Sequence, residues 1–174
     1  PSRTRRRRPE LDGYLETCRQ RLEESDGAFF QACLPRSEYW RTYVDFRDRA
    51  AFLDIETTGL SPEFSYVTMV GVLDSAGYTA CVRDENLEEL REALERYDLV
   101  VTYNGGSFDL PFLEYHFGQL FGQMAHIDLR HPLRRLGYRG GLKAIEKQLR
   151  VGRPSELAGL SGFDAVLLWR TWQD

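Results

Sequence analysis

At 174 residues, with 42% hydrophobic and 29% charged side chains, the chain suits one globular domain with a substantial core and is not a wholly disordered protein. No apolar run approaches the roughly 20 residues needed to cross a bilayer, and no apolar signal region follows the basic start, so the expected setting is soluble and cytoplasmic with no membrane partner. A net charge of -4 neither supports nor excludes nucleic acid as a partner, because metals and a local basic strip can meet phosphates on an acidic protein.

The chain opens on PSRTRRRR, so residues 1–10 read as a basic flexible tail, either solvated or serving as a phosphate-contacting arm. Residues 11–48 read as an N-terminal extension. Leu11, Leu15, Cys18 and Leu22 recur at helical spacing and predict an amphipathic helix packed on the domain. Phe30, Tyr39, Trp40, Tyr43 and Phe46 then alternate with Arg36, Arg41 and Arg47 around Pro35. Such a mixture covers a sheet edge or helix face, or stacks bases beside phosphate contacts. The cysteines, Cys18, Cys33 and Cys81, are odd in number and widely spaced, which argues against a disulfide framework or a zinc site and for reduced core thiols.

Residues 51–60, AFLDIETTGL, form the segment that carries chemistry. Ala51, Phe52 and Leu53 make a short apolar run, as in a strand covered on both faces, and Asp54 and Glu56 interrupt it. Two carboxylates two residues apart share one face of a strand, and at the end of a buried strand they call for positive compensation, which a divalent metal supplies. Exposed turn residues are the other reading of such a pair. Residues 66–73 and 78–82 predict a hairpin around the turn at 75–77, giving three antiparallel strands. Asn86 with Glu89 has the spacing of a capping box ahead of Leu87, Leu90, Leu94 and Tyr97, a helix that crosses to a strand at residues 99–101.

Residues 98–111, DLVVTYNGGSFDLP, repeat the pattern of strand, polar glycine-rich turn and acid. Asp109 with Pro111 fits a helix start, where capping is the plain role. A right-handed crossover sets this strand parallel to the first and brings Asp109 beside Asp54 and Glu56, at the carboxyl ends where open α/β sheets bind ligands. A helix ending near Gly118 and a short strand at 126–129 follow, with Asp128 either behind the acids or capping. His116, His126 and His131 read as structural. Arg130, Arg134, Arg135 and Arg139, with Lys143 and Lys147, are the phosphate-contact candidates. No dinucleotide fingerprint, phosphate loop or nucleophile elbow occurs. The elements add up to an α/β fold, a mixed five-stranded sheet flanked by helices, with a helical extension at the N-terminus.

The segments D-I-E-T-T-G-L and N-G-G-S-F-D-L-P-F resemble the first two exonuclease motifs of the DEDD superfamily, the DnaQ-like 3'-5' exonucleases of ribonuclease H-like fold. G-G-L-K-A-I-E-K-Q-L at 140–149 and F-D-A-V-L-L-W at 163–169 resemble the YprB-like group within it. The resemblance implies a nuclease domain over residues 49–174 that hydrolyses DNA or RNA from a single-stranded or frayed 3' end. It also implies Asp54, Glu56 and Asp109 as ligands of two Mg²⁺ or Mn²⁺ ions, and Thr57, Leu60 and Asn104 as contacts to the terminal nucleotide. The family's fourth acid and its general base, a His or Tyr, are expected beyond residue 174, so the domain reads as truncated; Asp164 and Asp174 lack the spacing to replace them. A silent nuclease-fold scaffold and a structure-selective endonuclease are the alternatives.

Overall fold

The segment around Asp54 becomes the central strand of the sheet, β1 (Ala50–Thr57), in a computed structural model that describes residues 9–152 and 162–173. The other strands are β2 (Val67–Asp74), β3 (Gly77–Val82), β4 (Leu99–Thr102) and β5 (Ala125–Asp128), in the order β3-β2-β1-β4-β5. β1, β2 and β3 pair antiparallel, whereas β1 with β4 and β4 with β5 pair parallel, so the sheet is mixed and five-stranded as expected. Asp74 closes the hairpin by accepting from the backbone N–H of Ala76 and of Gly77.

β1 differs from the sequence expectation in one respect that matters for the site. Ala51, Leu53 and Ile55 are buried, but Phe52 and Asp54 are exposed, so the strand is two-faced rather than covered on both sides. One face holds the hydrocarbon and the other the carboxylates, which leaves Asp54 exposed and Glu56 half-buried. The ladder with β2 slips between Glu56 and Thr57, where β1 turns out of the sheet. β4, by contrast, is buried along its whole length, which is what its unbroken run of Leu, Val, Val and Thr requires.

Helices α4 (Leu90–Leu94) and α5 (Asp109–Phe117) supply Leu90, Leu94, Phe112 and Leu113 to the main core against Ala51, Leu53, Ile55 and Val70. The opposite face of β4 and β5 is closed by the N-terminal segment, with Phe30 and Phe46 packed on Leu99, Val101, Ala125 and Ile127. That segment comprises α1 (Pro9–Glu23), α2 (Gly27–Cys33), a 3-10 stretch at Arg36–Thr42 and α3 (Tyr43–Phe46). Asp26 caps α2 by accepting from the Phe29 N–H at 2.9 Å. After β5 come α6 (Arg130–Arg135), α7 (Leu142–Leu149) and α8 (Gly162–Gln173), the last lying against β1. No helix among the described residues is long and apolar enough to cross a membrane.

Three local expectations change. The predicted stripe on α1 meets α2, where Tyr14 donates to Cys33 at 3.2 Å, but is only loosely covered, since Leu11, Leu15 and Leu22 remain exposed and Cys18 is half-buried. The thiols are free, but Cys81 alone is a core residue and Cys33 is exposed. The capping box at Asn86 does not form, since its amide accepts from Val82 N–H at 2.7 Å and donates to the Ala80 carbonyl at 3.2 Å. The side chain ties down the end of β3 instead, and the helix begins as a 3-10 turn over Leu87–Glu89. The arginine run at residues 3–8 and the carboxylate of Asp174 lie outside the described residues.

Candidate active site

The carboxyl ends of β1, β4 and β5 lie side by side, and the loop from β4 into α5 is fastened there by a polar network. Thr102 at the end of β4 accepts from Gly105 N–H at 3.1 Å and pairs through its hydroxyl with His126 Nε2 at 2.9 Å. A Cβ on Gly105 would meet Thr102 Oγ1 at 2.4 Å, so the turn fits this tightly only with glycine. Asp128 at the end of β5 accepts from Asn104 N–H at 2.7 Å, Gly106 N–H at 3.3 Å and Arg130 N–H at 3.0 Å. This holds Asn104 in a left-handed conformation at φ 67°, with its side-chain oxygen accepting from Arg130 and from Ser107 Oγ. His126 is half-buried, and burial lowers its pKa, so it serves the loop as a neutral structural residue.

This loop delivers Asp109 to the first position of α5, where it is only 5% exposed. Its carboxylate accepts from its own N–H and from the Ile55 N–H, which stabilise the charge, yet burial and then the neighbouring Asp54 push its pKa up to about 6. Asp109 has no cationic side-chain partner among the described residues. Glu56 is also raised, first by burial and then by Asp54. Asp54 is therefore the neighbour common to both other acids, and the helix-start role gives way to a mutually repelling carboxylate group. Two partly desolvated acids that each repel the exposed Asp54 are an arrangement that a divalent cation relieves, and oxygen donors suit Mg²⁺ or Mn²⁺. The described residues hold no group of three Asp, Glu, His or Cys side chains already arranged to hold an ion.

A cleft of about 700 Å³ opens over the pair, lined on one side by Asp54, Asn104 and Asp109 and on the other by Arg134, Tyr138 and Arg139. Tyr103 donates to the Gly140 carbonyl at 2.7 Å and braces the two sides. Arg134 and Arg139 form no ion pair among the described residues, which leaves both guanidinium groups open to an anion. Glu56, Thr57 and Leu60 stand beside this cleft rather than within it. Thr57 Oγ1 donates to the Gly59 carbonyl at 2.7 Å, and Leu60 is 86% exposed in the loop between β1 and β2. Asp164 falls in the first turn of α8, the helix beside β1. The anchoring by Asp128 and Arg130 had no sequence signal strong enough to single it out, because the partners lie more than 20 residues apart.

The RNase_H_2 family description, of the RNase_H superfamily, matches residues 51–174. The chain belongs to the RNase_H superfamily. Solved structures with this RNase H-like fold include the family B DNA polymerase of the archaeon Pyrobaculum calidifontis, 17% identical with a TM-score of 0.56 over 72% of this chain and 21% of the polymerase. A second, described as the apo form of a nuclease, is 17% identical with a TM-score of 0.50 over 74% of this chain and 63% of that one. Brucella melitensis NrnC with bound Mg²⁺ gives 22% identity and a TM-score of 0.47 over 72% of this chain and 67% of its own. The chain thus spans about a fifth of the polymerase and under two thirds of the nuclease. A search of curated proteins finds no match in sequence.

Proposed function

We propose that residues 49–174 are a cytoplasmic, divalent-metal-dependent nuclease of the DEDD type and YprB-like group, cutting DNA or RNA from a single-stranded or frayed 3' end. The observation that carries this reading is the cleft itself, where buried Asp109 lies against Asp54, itself the neighbour of Glu56, and two arginines with no ion pair among the described residues stand opposite. Asp54, Glu56 and Asp109 would hold Mg²⁺ or Mn²⁺, two ions by the family resemblance. Bound metal supplies an activated water and charge stabilisation for displacement at phosphorus.

The chain's own side chains do the remaining work. Arg134 and Arg139 draw the phosphates in, Asn104 and the backbone at Thr57 position the terminal nucleotide, and Leu60 presents an exposed apolar side chain to its base. Asp128 acts as a positioning residue through its bonds to Asn104 and Gly106. The test is calorimetric titration of Mn²⁺ into the protein and into Asp54→Asn, with degradation of a labelled single strand followed alongside. Binding and cleavage should both vanish in the variant while its circular dichroism is unchanged; cleavage that survives refutes the assignment.

A second reading has one observation in its favour, namely that the described residues present no ready-made three-ligand group. A nuclease-fold domain that binds nucleic acid without cutting it would bind oligonucleotide but take up no Mn²⁺ in either protein.

A further inference from the structure

A second cleft, of about 460 Å³, adjoins the first and shares Asn104 and Arg130 with it. One wall belongs to the superfamily fold and carries Ser107, Arg130 and His131; the other belongs to the N-terminal extension and carries Arg36, Tyr39 and Trp40. We propose that this cleft binds the next stretch of a single-stranded nucleic acid whose end occupies the first cleft, with Trp40 stacking a base and Arg36 contacting a phosphate. The proposal rests on the nuclease reading and extends it, since it assigns a substrate role to a segment that lies before the superfamily match.

The wall is built before any ligand arrives. Gln31 Nε2 donates to the His126 carbonyl at 2.5 Å, and Arg135 donates to the Ser37 carbonyl at 2.7 Å and to Glu38 at 2.6 Å, so the extension is pinned to β5 and α6 on both sides of the cleft. Gly27 sits so close to β5 that a Cβ would meet the Ala125 nitrogen at 2.5 Å. Glu38 also holds Arg41 at 2.6 Å, and Arg41 lies over the Trp40 ring at 4.6 Å from its centroid. Trp40 is thereby fixed on one face and 40% exposed.

Charge favours an anion here. The acid in the cleft, Asp128, already accepts three backbone N–H groups, while Arg36 is exposed and has no hydrogen-bond or ion-pair partner among the described residues. Aromatic planes interleaved with cations along a groove are the arrangement by which proteins track single strands without reading sequence. The volume lies within the roughly 300–1,000 Å³ of ordinary ligand pockets, which limits the cleft to one or two nucleotides.

The experiment is fluorescence anisotropy of a labelled single-stranded 8-mer, as DNA and as RNA, in EDTA, where no cleavage occurs and the second cleft needs no metal. Trp40→Leu should weaken binding about tenfold, since one stacked base is worth that much, and Arg36→Ala should lower the salt slope by about 0.7. Against an abasic 8-mer, Trp40→Leu should change nothing while Arg36→Ala keeps its effect, a contrast that a structural role for Trp40 does not produce. Wild-type binding that both variants retain, or no 8-mer binding by the wild type, overturns the second cleft and leaves the nuclease reading to the Mn²⁺ titration. Should Trp40→Leu fail to fold, the salt slope of Arg36→Ala, an exposed side chain with no partner among the described residues, decides the matter.

Discussion

Replacing Asp109 by Asn should stabilise the metal-free protein while destroying its proposed chemistry. The carboxyl group titrates near 3.8 in an unfolded chain and at about 6 in the folded one, raised by burial and then by Asp54. At roughly 1.4 kcal/mol per pH unit that rise is a penalty of about 3 kcal/mol, carried by the folded state wherever Asp109 is ionised. The sign follows from proton counting. Between these two pH values the folded form binds more protons than the unfolded one, so stability is highest below about pH 4, falls as the pH rises to about 6, and is flat above. Asparagine has the same shape, can still accept from Ile55 N–H, and carries no charge to repel Asp54. The difference between variant and wild type should be near zero at pH 4 and about 3 kcal/mol at pH 7.5 in EDTA. For a domain of this length that is a Tm gain of about 6–12 °C. Urea unfolding and thermal scans at both pH values measure it. Added Mn²⁺ should then raise the wild-type Tm and leave the variant unmoved. A variant less stable than wild type at pH 7.5, or a difference that does not vary with pH, would refute the electrostatic account.

Other perturbations probe the scaffold. Gly27→Ala drives a Cβ into the Ala125 backbone at 2.5 Å and close to the Asp98 carbonyl at 3.0 Å, so it should cost about 1–3 kcal/mol by denaturant titration. Gly13→Ala in the open face of α1, with nothing within 4 Å, should be neutral or slightly stabilising. Asp128→Ala strips the acceptor from Asn104 and Gly106 and should cost about 1–3 kcal/mol, with cleavage reduced and Mn²⁺ affinity retained. Equal losses of both would mean that Asp128 acts on the metal rather than on the loop. The Asp74 carboxyl is held below its usual range, first by the Tyr97 hydroxyl at 2.7 Å. Its contribution is present at neutral pH and lost as the pH falls below about 4, a loss that Asp74→Asn should remove from the acid limb of the stability curve.

The type of the strands and their mixed pairing follow from the chain read in isolation, as does the neighbouring of Asp54 with Glu56 and with Asp109. Local signals suffice for these: an unbroken Leu-Val-Val run makes a buried strand, a two-residue spacing puts Asp54 and Glu56 on one face, and a glycine-rich turn before Asp109 starts a helix. The sequence also marks Trp40 and Arg36 as an aromatic and basic mixture, without saying what it faces.

Only the tertiary structure decides the rest, because each remaining feature is a meeting of groups far apart along the chain. Which face of β1 is open depends on what packs against the sheet, not on the strand. The fastening of Asn104 by Asp128 joins the ends of two separate strands, 24 residues apart, and Gln31 reaches a carbonyl 95 residues away to set the second wall. The cost of burying Asp109 beside Asp54 likewise exists only once parallel pairing of β1 and β4 brings their ends together. Periodicity along the chain specifies elements, whereas desolvation and charge repulsion arise from packing, and it is packing that sets Asp54 against both Glu56 and Asp109.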